Sequence, residues 1–174
     1  MSPLFRIPFL AGFFSGAVGA GWLLLSAAFT PEGSGWQVAS GPLSLLLMGG
    51  AIIFALFTLK RKKISGLLTF PVALRSALIV SLVTSIFLSA GAWYRWTHFK
   101  TDWQITEMIS RSEREYRKAG RSESEIAENS RQLRESFTLG SEIKKTFAGV
   151  LIMGGLFALV FSLVFADRAG ASGT

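Results

Sequence analysis

Few side chains in this sequence can carry proton-transfer or nucleophilic chemistry. The one histidine, His98, lies in "WYRWTHFK" (Trp93 to Lys100) among aromatic and basic residues. A lone imidazole needs a second group to orient it or share a proton, and no other histidine exists to help. An interfacial anchor is the plainer use of His98. Cysteine is absent, which removes disulfides, thiolate metal sites and thiol nucleophiles together. Glu113, Glu115, Glu123, Glu125 and Glu128 are carboxylates close in sequence, but arginines interleave them. A solvated helix face explains that pattern better than a metal site. Arg75 is the one ionisable group set inside a long apolar run. At about one turn from the end of that run, its side chain can snorkel to the interface.

A glycine-rich stretch raises a second chemical option. "SGAVGAGW" (Ser15 to Trp22) resembles a disordered version of a phosphate-cradling loop. A dinucleotide fingerprint needs G-x-G-x-x-G between a strand and a helix, with an acid about twenty residues on. Here the order is G-x-x-G-x-G within an apolar run, and the nearest acid is Glu32. The context does not fit a nucleotide. These residues assign no catalytic group, cofactor or metal, and the chain reads as non-enzymatic.

The elements that would position any of these groups are membrane spans. Half of the residues are hydrophobic and 13% are aromatic, more than the surface of a soluble chain of this size accommodates. Uncharged runs cover 7–31, 33–59, 76–94 and 146–166. Each reaches the roughly 18–20 residues that cross a hydrocarbon core as a helix. Spans are expected at about 7–29, 41–59, 70–94 and 146–166, in a single all-α membrane domain over 1–174. Arg6, the first apolar run and "SAA" (Ser26 to Ala28) imitate a secretory signal. The run is longer than an ordinary signal core, so an uncleaved span is expected.

Charge sets the expected orientation. The first connection, "TPEGSGWQVASGP", carries no Lys or Arg, whereas the second opens with Lys60, Arg61, Lys62 and Lys63. By the positive-inside rule the second loop and both termini are expected to face the cytoplasm. Arg6, Arg75 and Arg168 fall near the same ends of their spans. This accounts for much of the net charge of +7 through anionic lipid, with no nucleic-acid partner expected. Residues 95–145 hold eleven Lys/Arg against seven on the proposed inner side, but long segments translocate largely regardless of charge. Trp36, Trp93, Trp96 and Trp103 would then mark the outer interface.

The segment 101–139 reads as an extramembrane helix–turn–helix. Ile105, Ile109, Ser112 and Tyr116 recur at helical spacing, with Met108 beside them. Asp102 can cap the first helix, and Gly120 sits where it should end. Ser122 and Glu125 form a capping-box pattern before Ile126, Leu133 and Phe137. Glu107–Arg111 and Glu113–Arg117 are expected as i,i+4 pairs.

Small residues at four-residue spacing let membrane helices approach closely. The rows are Gly12, Gly16 and Ala20 in span one, and Ala73, Ala77, Ser81, Ser85 and Ser89 in span three. Span four has Gly154, Ala158, Ser162 and Ala166, while span two has only Ala51 and Ala55. The glycines of "SGAVGAGW" are thus spaced for a neighbouring helix. That neighbour belongs either to this chain or to another subunit or copy. The serines of span three, with Thr84, suit interhelical hydrogen bonds and equally a polar path.

The layout resembles a known family. The basic loop enters "ISGLLTFPVALRSALIVSLVTSIF", and the exit is "AGAWYRWTHF". A charged hairpin follows with "EYRKAGRSESEIAENSRQLRESF", then the final span "AGVLIMGGLFALVFSLVFADR". Together these resemble the four-span bacterial membrane family catalogued as domain of unknown function 4199. The resemblance implies the four-span architecture and brings no established activity. On function, the sequence favours an accessory, scaffold or assembly subunit in the lipid bilayer, bound to other membrane subunits or to itself. A small transporter or channel subunit, using Ser81, Ser85 and Ser89 with Arg75 at the mouth, is the alternative. A membrane enzyme or lipid-binding protein using His98 and Arg95 is a third reading.

Overall fold

The computed structural model describes residues 2–29, 35–62, 68–99, 102–136 and 138–167, apart from the side chains of 35–38 and 102–104. Six helices follow one another: α1 (Pro3–Phe29), α2 (Gly35–Arg61), α3 (Phe70–His98), α4 (Asp102–Lys118), α5 (Glu123–Ser136) and α6 (Leu139–Phe165). Among the described residues no strand occurs. α1, α2, α3 and α6 are long and apolar enough to cross a membrane, as expected of a multi-pass membrane protein. Helices of 27 and 29 residues reach roughly 40 Å at 1.5 Å per residue. That exceeds a hydrocarbon core of about 30 Å, so their ends extend into the interfaces or the helices tilt.

The helices outrun the expected spans for local reasons. α6 starts at Leu139 rather than 146 because Thr138 caps it: its side chain accepts the Ser141 N–H. The polar "SEIKK" thus forms the first turns of α6. α2 begins at Gly35, so part of the expected first loop is helical, although its apolar span starts at Ala39. α3 begins behind an extended Thr69 with proline in its first turn, where the missing N–H costs nothing.

α3 is the central helix. It lies between α1 and α6, and α2 closes the bundle against all three. More than half of its most apolar stretch is buried, 56% against 33% for α1 and 22% for α6. The helices run up, down, up and down, so α1 and α3 are parallel neighbours while α3 and α6 are antiparallel. The aliphatic core gathers Met48, Ile52, Leu56 and Leu59 of α2 against Ala73, Ala77 and Val80 of α3 and Ala158 of α6. This corrects the expectation for span two. Its buried face is a row of large side chains, in which Ala55 is included but Ala51 is only half-buried. α2 supplies the bulk that the small faces of α3 and α6 accept.

Candidate functional site

The residues singled out for close packing meet within this chain. A methyl group placed on Gly12 would lie 2.8 Å from the Val80 carbonyl oxygen, and one on Gly16 would lie 2.7 Å from Phe87 Cβ. Farther along the same pair, Gly91 of α3 leaves room for Ala20, whose Cβ would be 2.9 Å away. Glycine is required at these positions because real Cβ contacts at such distances force one helix to move. The parallel α1–α3 seam is therefore a backbone-to-backbone crossing of the small-xxx-small type, flanked by Phe13 edge-on to Phe87 at 5.0 Å. On the other side of α3, a methyl on Gly154 would lie 2.5 Å from Ser81 Cβ. Ala73, Ala77, Ser81, Ser85, Ala158 and Ser162 are buried in that seam or beside it, as is Ser89.

The hydroxyls of α3 do not form the interhelical ladder that their spacing suggested. Ser81 donates to the Ala77 carbonyl at 3.0 Å, and Ser85 donates to the Leu82 carbonyl at 2.8 Å, both within α3. Bonding back to their own helix lets these side chains remain small in a tight crossing. One pair crosses helices: Thr84 and Ser15 hydroxyls lie 2.7 Å apart, with the Gly12 carbonyl accepting from Ser15 at 3.1 Å. The buried hydroxyls of Ser89 and Ser162 have no hydrogen-bond partner among the described residues.

Sequence reasoning missed a polar cluster at the basic end of the bundle. Lys60 Nζ lies 3.0 Å from Asp167 Oδ1 and donates to the Phe165 carbonyl at 3.1 Å. Asp167 Oδ2 accepts the Leu68 N–H at 2.7 Å, and the Asp167 N–H donates to the Leu68 carbonyl at 2.9 Å. One lysine and one aspartate thereby tie the end of α2, the entry to α3 and the exit of α6. Hydrogen bonds from Lys60 and from the Leu68 N–H hold the Asp167 carboxyl below the usual carboxylate range. Lys60 is thus a latch as well as a member of the basic loop. Arg61 and Lys62 are exposed, while Lys63 and Arg168 lie outside the described residues. The signal was invisible because the partners are separated by more than a hundred residues. Arg75 is exposed in the second turn of α3, beside Ser2, Phe5 and Ser76 around a cavity of 140 Å³.

At the opposite end, His98 is exposed and stacks on Tyr94 at 4.0 Å. Its Nδ1 lies 2.8 Å from the Thr97 hydroxyl and 3.1 Å from the Tyr94 carbonyl. Arg95 is half-buried at this end, within electrostatic reach of Glu142 of α6. Trp93 is exposed and Trp96 half-buried at this end, whereas the side chains of Trp36 and Trp103 lie outside the described residues.

The hairpin closes as α4 against α5. α4 ends in a Schellman motif: the Gly120 N–H donates to the Arg117 carbonyl and the Arg121 N–H to the Tyr116 carbonyl, both at 3.1 Å. The motif places Gly120 at a φ of 70°, where only glycine avoids strain. Ser122 and Glu125 make the expected reciprocal box: the Ser122 N–H donates to Glu125 at 3.0 Å, and the Glu125 N–H to Ser122 Oγ at 3.3 Å. Donation from the Ser122 N–H and the Ser122 hydroxyl to its carboxylate holds Glu125 below the usual carboxylate range. Ile109 and Ile126 are buried in the hairpin. The two expected i,i+4 pairs are replaced. Glu113 instead accepts from Ser130 across the hairpin at 2.8 Å, and Glu107 pairs with Arg114 at 3.1 Å. Arg111 turns to Glu115 within α4, and Arg117 reaches Glu123 of α5 across the turn. The caps expected of Asp102 and the stripe position Phe137 lie outside the described residues.

Neither the curated proteins nor the solved structures provide a match. A family model does match, over residues 10–167, which takes in all four apolar helices and the hairpin between the last two. With that span covered, the chain belongs to the family described as Protein of unknown function (DUF4199).

Proposed function

We propose that this chain is a non-enzymatic multi-pass protein of the bacterial cytoplasmic membrane, acting as an accessory, scaffold or assembly subunit. The observation that carries this reading is the internal use of every strong helix-packing face. The small rows of α1, α3 and α6 are consumed by the α3 crossings, which leaves the α4–α5 hairpin and the lipid-facing flanks to meet other proteins. The hairpin stands between α3 and α6, on the outer side if the basic loop faces the cytoplasm. Its helices are charged over most of their surface, and Met108 stands 53% exposed beside them. Such a surface suits a partner's loop, another subunit or a second copy. The burial of Ser81, Thr84 and Ser85, all fully inaccessible, weighs against a solute path along α3 in a transporter or channel subunit.

Photo-crosslinking from the hairpin tests the reading in living cells. A photoreactive residue at Met108 should give one reproducible adduct, to a membrane polypeptide or to a second copy of this chain. The same group at Leu163, exposed on α6, should not reproduce it. A protein that purifies as a strict monomer in mild detergent, with no adduct from Met108, would overturn the proposal.

A further inference from the structure

Between α1 and α2 runs an apolar groove of 740 Å³, within the roughly 300–1,000 Å³ typical of ligand clefts. Its construction is asymmetric across and along. Small residues form its floor: Ala11 and Ser15 of α1 are each 8% exposed, and Gly50 of α2 has open space above it. Large side chains form the rims, with Phe14 and Phe54 both 63% exposed. Both hydroxyls along the groove are already bonded. Ser15 is held by Gly12 and Thr84, and Thr58 donates to the Phe54 carbonyl at 2.7 Å. The interior therefore offers no polar contact to an occupant. One end is shut where α1 and α2 converge, with a methyl on Gly19 meeting Ser44 Oγ at 3.4 Å.

The other end opens at Lys62, the one charged side chain lining the groove. Lys62 makes no ion pair among the described residues, in contrast to Lys60, which is held by Asp167. Its backbone N–H still bonds to Thr58, so it stands on the last helical turn of α2, at the depth of lipid headgroups. Exposed Arg6, next to the groove residue Ile7, lies at the same end. An occupant must be apolar along its length, narrow, and anionic at one end only.

We infer that this groove holds an acyl chain of an anionic phospholipid, with the lipid phosphate at Lys62. The closed end receives the chain terminus, and the unpaired ammonium selects the headgroup. The inference needs only the four spans in a bilayer, and it stands apart from any assembly role. Charge complementarity separates this occupant from a partner's apolar helix, which would present no anion at that depth.

The test uses the full chain in nanodiscs containing a phosphatidylglycerol probe with a photoreactive group in its acyl chain. Adducts mapped by mass spectrometry should concentrate on Phe14, Leu46 and Phe54 over Leu163 and Val164 of α6. Lys62→Gln should reduce them about five-fold, the share of one lysine near an anionic surface, whereas Arg61→Gln, at an exposed position outside the groove lining, should leave them unchanged. Gly50→Phe, which fills the floor and keeps Lys62, should also displace them. Adducts spread evenly over all exposed apolar positions would overturn the inference. So would equal labelling by the phosphatidylcholine analogue, or labelling of the groove unchanged by Lys62→Gln.

Discussion

Gly154 and Gly155 are neighbours in α6 with opposite surroundings. A methyl on Gly154 would meet Ser81 at 2.5 Å, yet one on Gly155 meets nothing within 4 Å. Ser81 is a short side chain on a fully buried helix face, so it cannot swing away. Gly154→Ala should destabilise the bundle by about 1–3 kcal/mol, the usual cost of overpacking. Gly155→Ala should leave the Tm unchanged or raise it, since alanine is the better helix former. Thermal unfolding in a mild detergent compares the two, and equal effects would refute the α3–α6 seam. Asp167 makes a second residue-scale prediction. Its carboxyl pKa is lowered by the Lys60 and Leu68 hydrogen bonds, so the latch contributes fully above the usual carboxylate range. That contribution is lost as pH falls through the lowered value. Wild type should therefore exceed Asp167→Asn in Tm near pH 6, and the gap should narrow as pH falls below the ordinary aspartate pKa of about 3.9. A gap that persists through acid would mean that Asp167 acts by shape alone.

At the scale of elements, the turn and caps of the hairpin were legible because their signals are local, whereas its ion pairs were not. Gly120, Ser122 and Glu125 lie within six residues of one another, and each acts on backbone groups at that range. The Schellman and capping bonds follow from chain geometry, with no need of the bundle. Gly120→Ala forces a Cβ into left-handed backbone, a cost of roughly 1–2 kcal/mol. Amide exchange at the end of α4 should then accelerate about 5- to 30-fold, while exchange in α3 and α6 stays as it was. Acceleration throughout the spans would show that the hairpin is coupled to the bundle. The spans were legible too, since an uncharged run of sufficient length needs no partner to identify it. The pairings between elements were not. The four-residue rows showed which helix faces could approach closely, but Gly16 carries no mark of Phe87, nor Lys60 of Asp167. Span two misled because Ala51 and Ala55 match the small-residue pattern while Met48, Ile52 and Leu59 define its buried face. A periodicity of small residues and one of large residues coexist there, and only packing decides between them.

For the whole molecule, the remaining variable is direction across the membrane. The bundle has a basic end, where Lys60, Arg61 and Lys62 close α2, and a hairpin end, where α4 and α5 stand between α3 and α6. Counting Lys and Arg alone would send 95–145 inward, with eleven against seven. One physical fact opposes that count. Basic residues steer topology most strongly in short loops beside a span, and the connection from α2 to α3 is such a loop. The absence of cysteine makes a direct test possible, because each introduced thiol reports alone. Ser122→Cys, on the hairpin turn, should react with a membrane-impermeant maleimide in intact cells. Ser2→Cys, beside Arg75 at the basic end, should react only after the membrane is opened. The reverse pattern would invert the molecule and place the hairpin, with whatever it binds, in the cytoplasm. The Lys62 groove would then face the outer leaflet, but its apolar length and single cation would be the same.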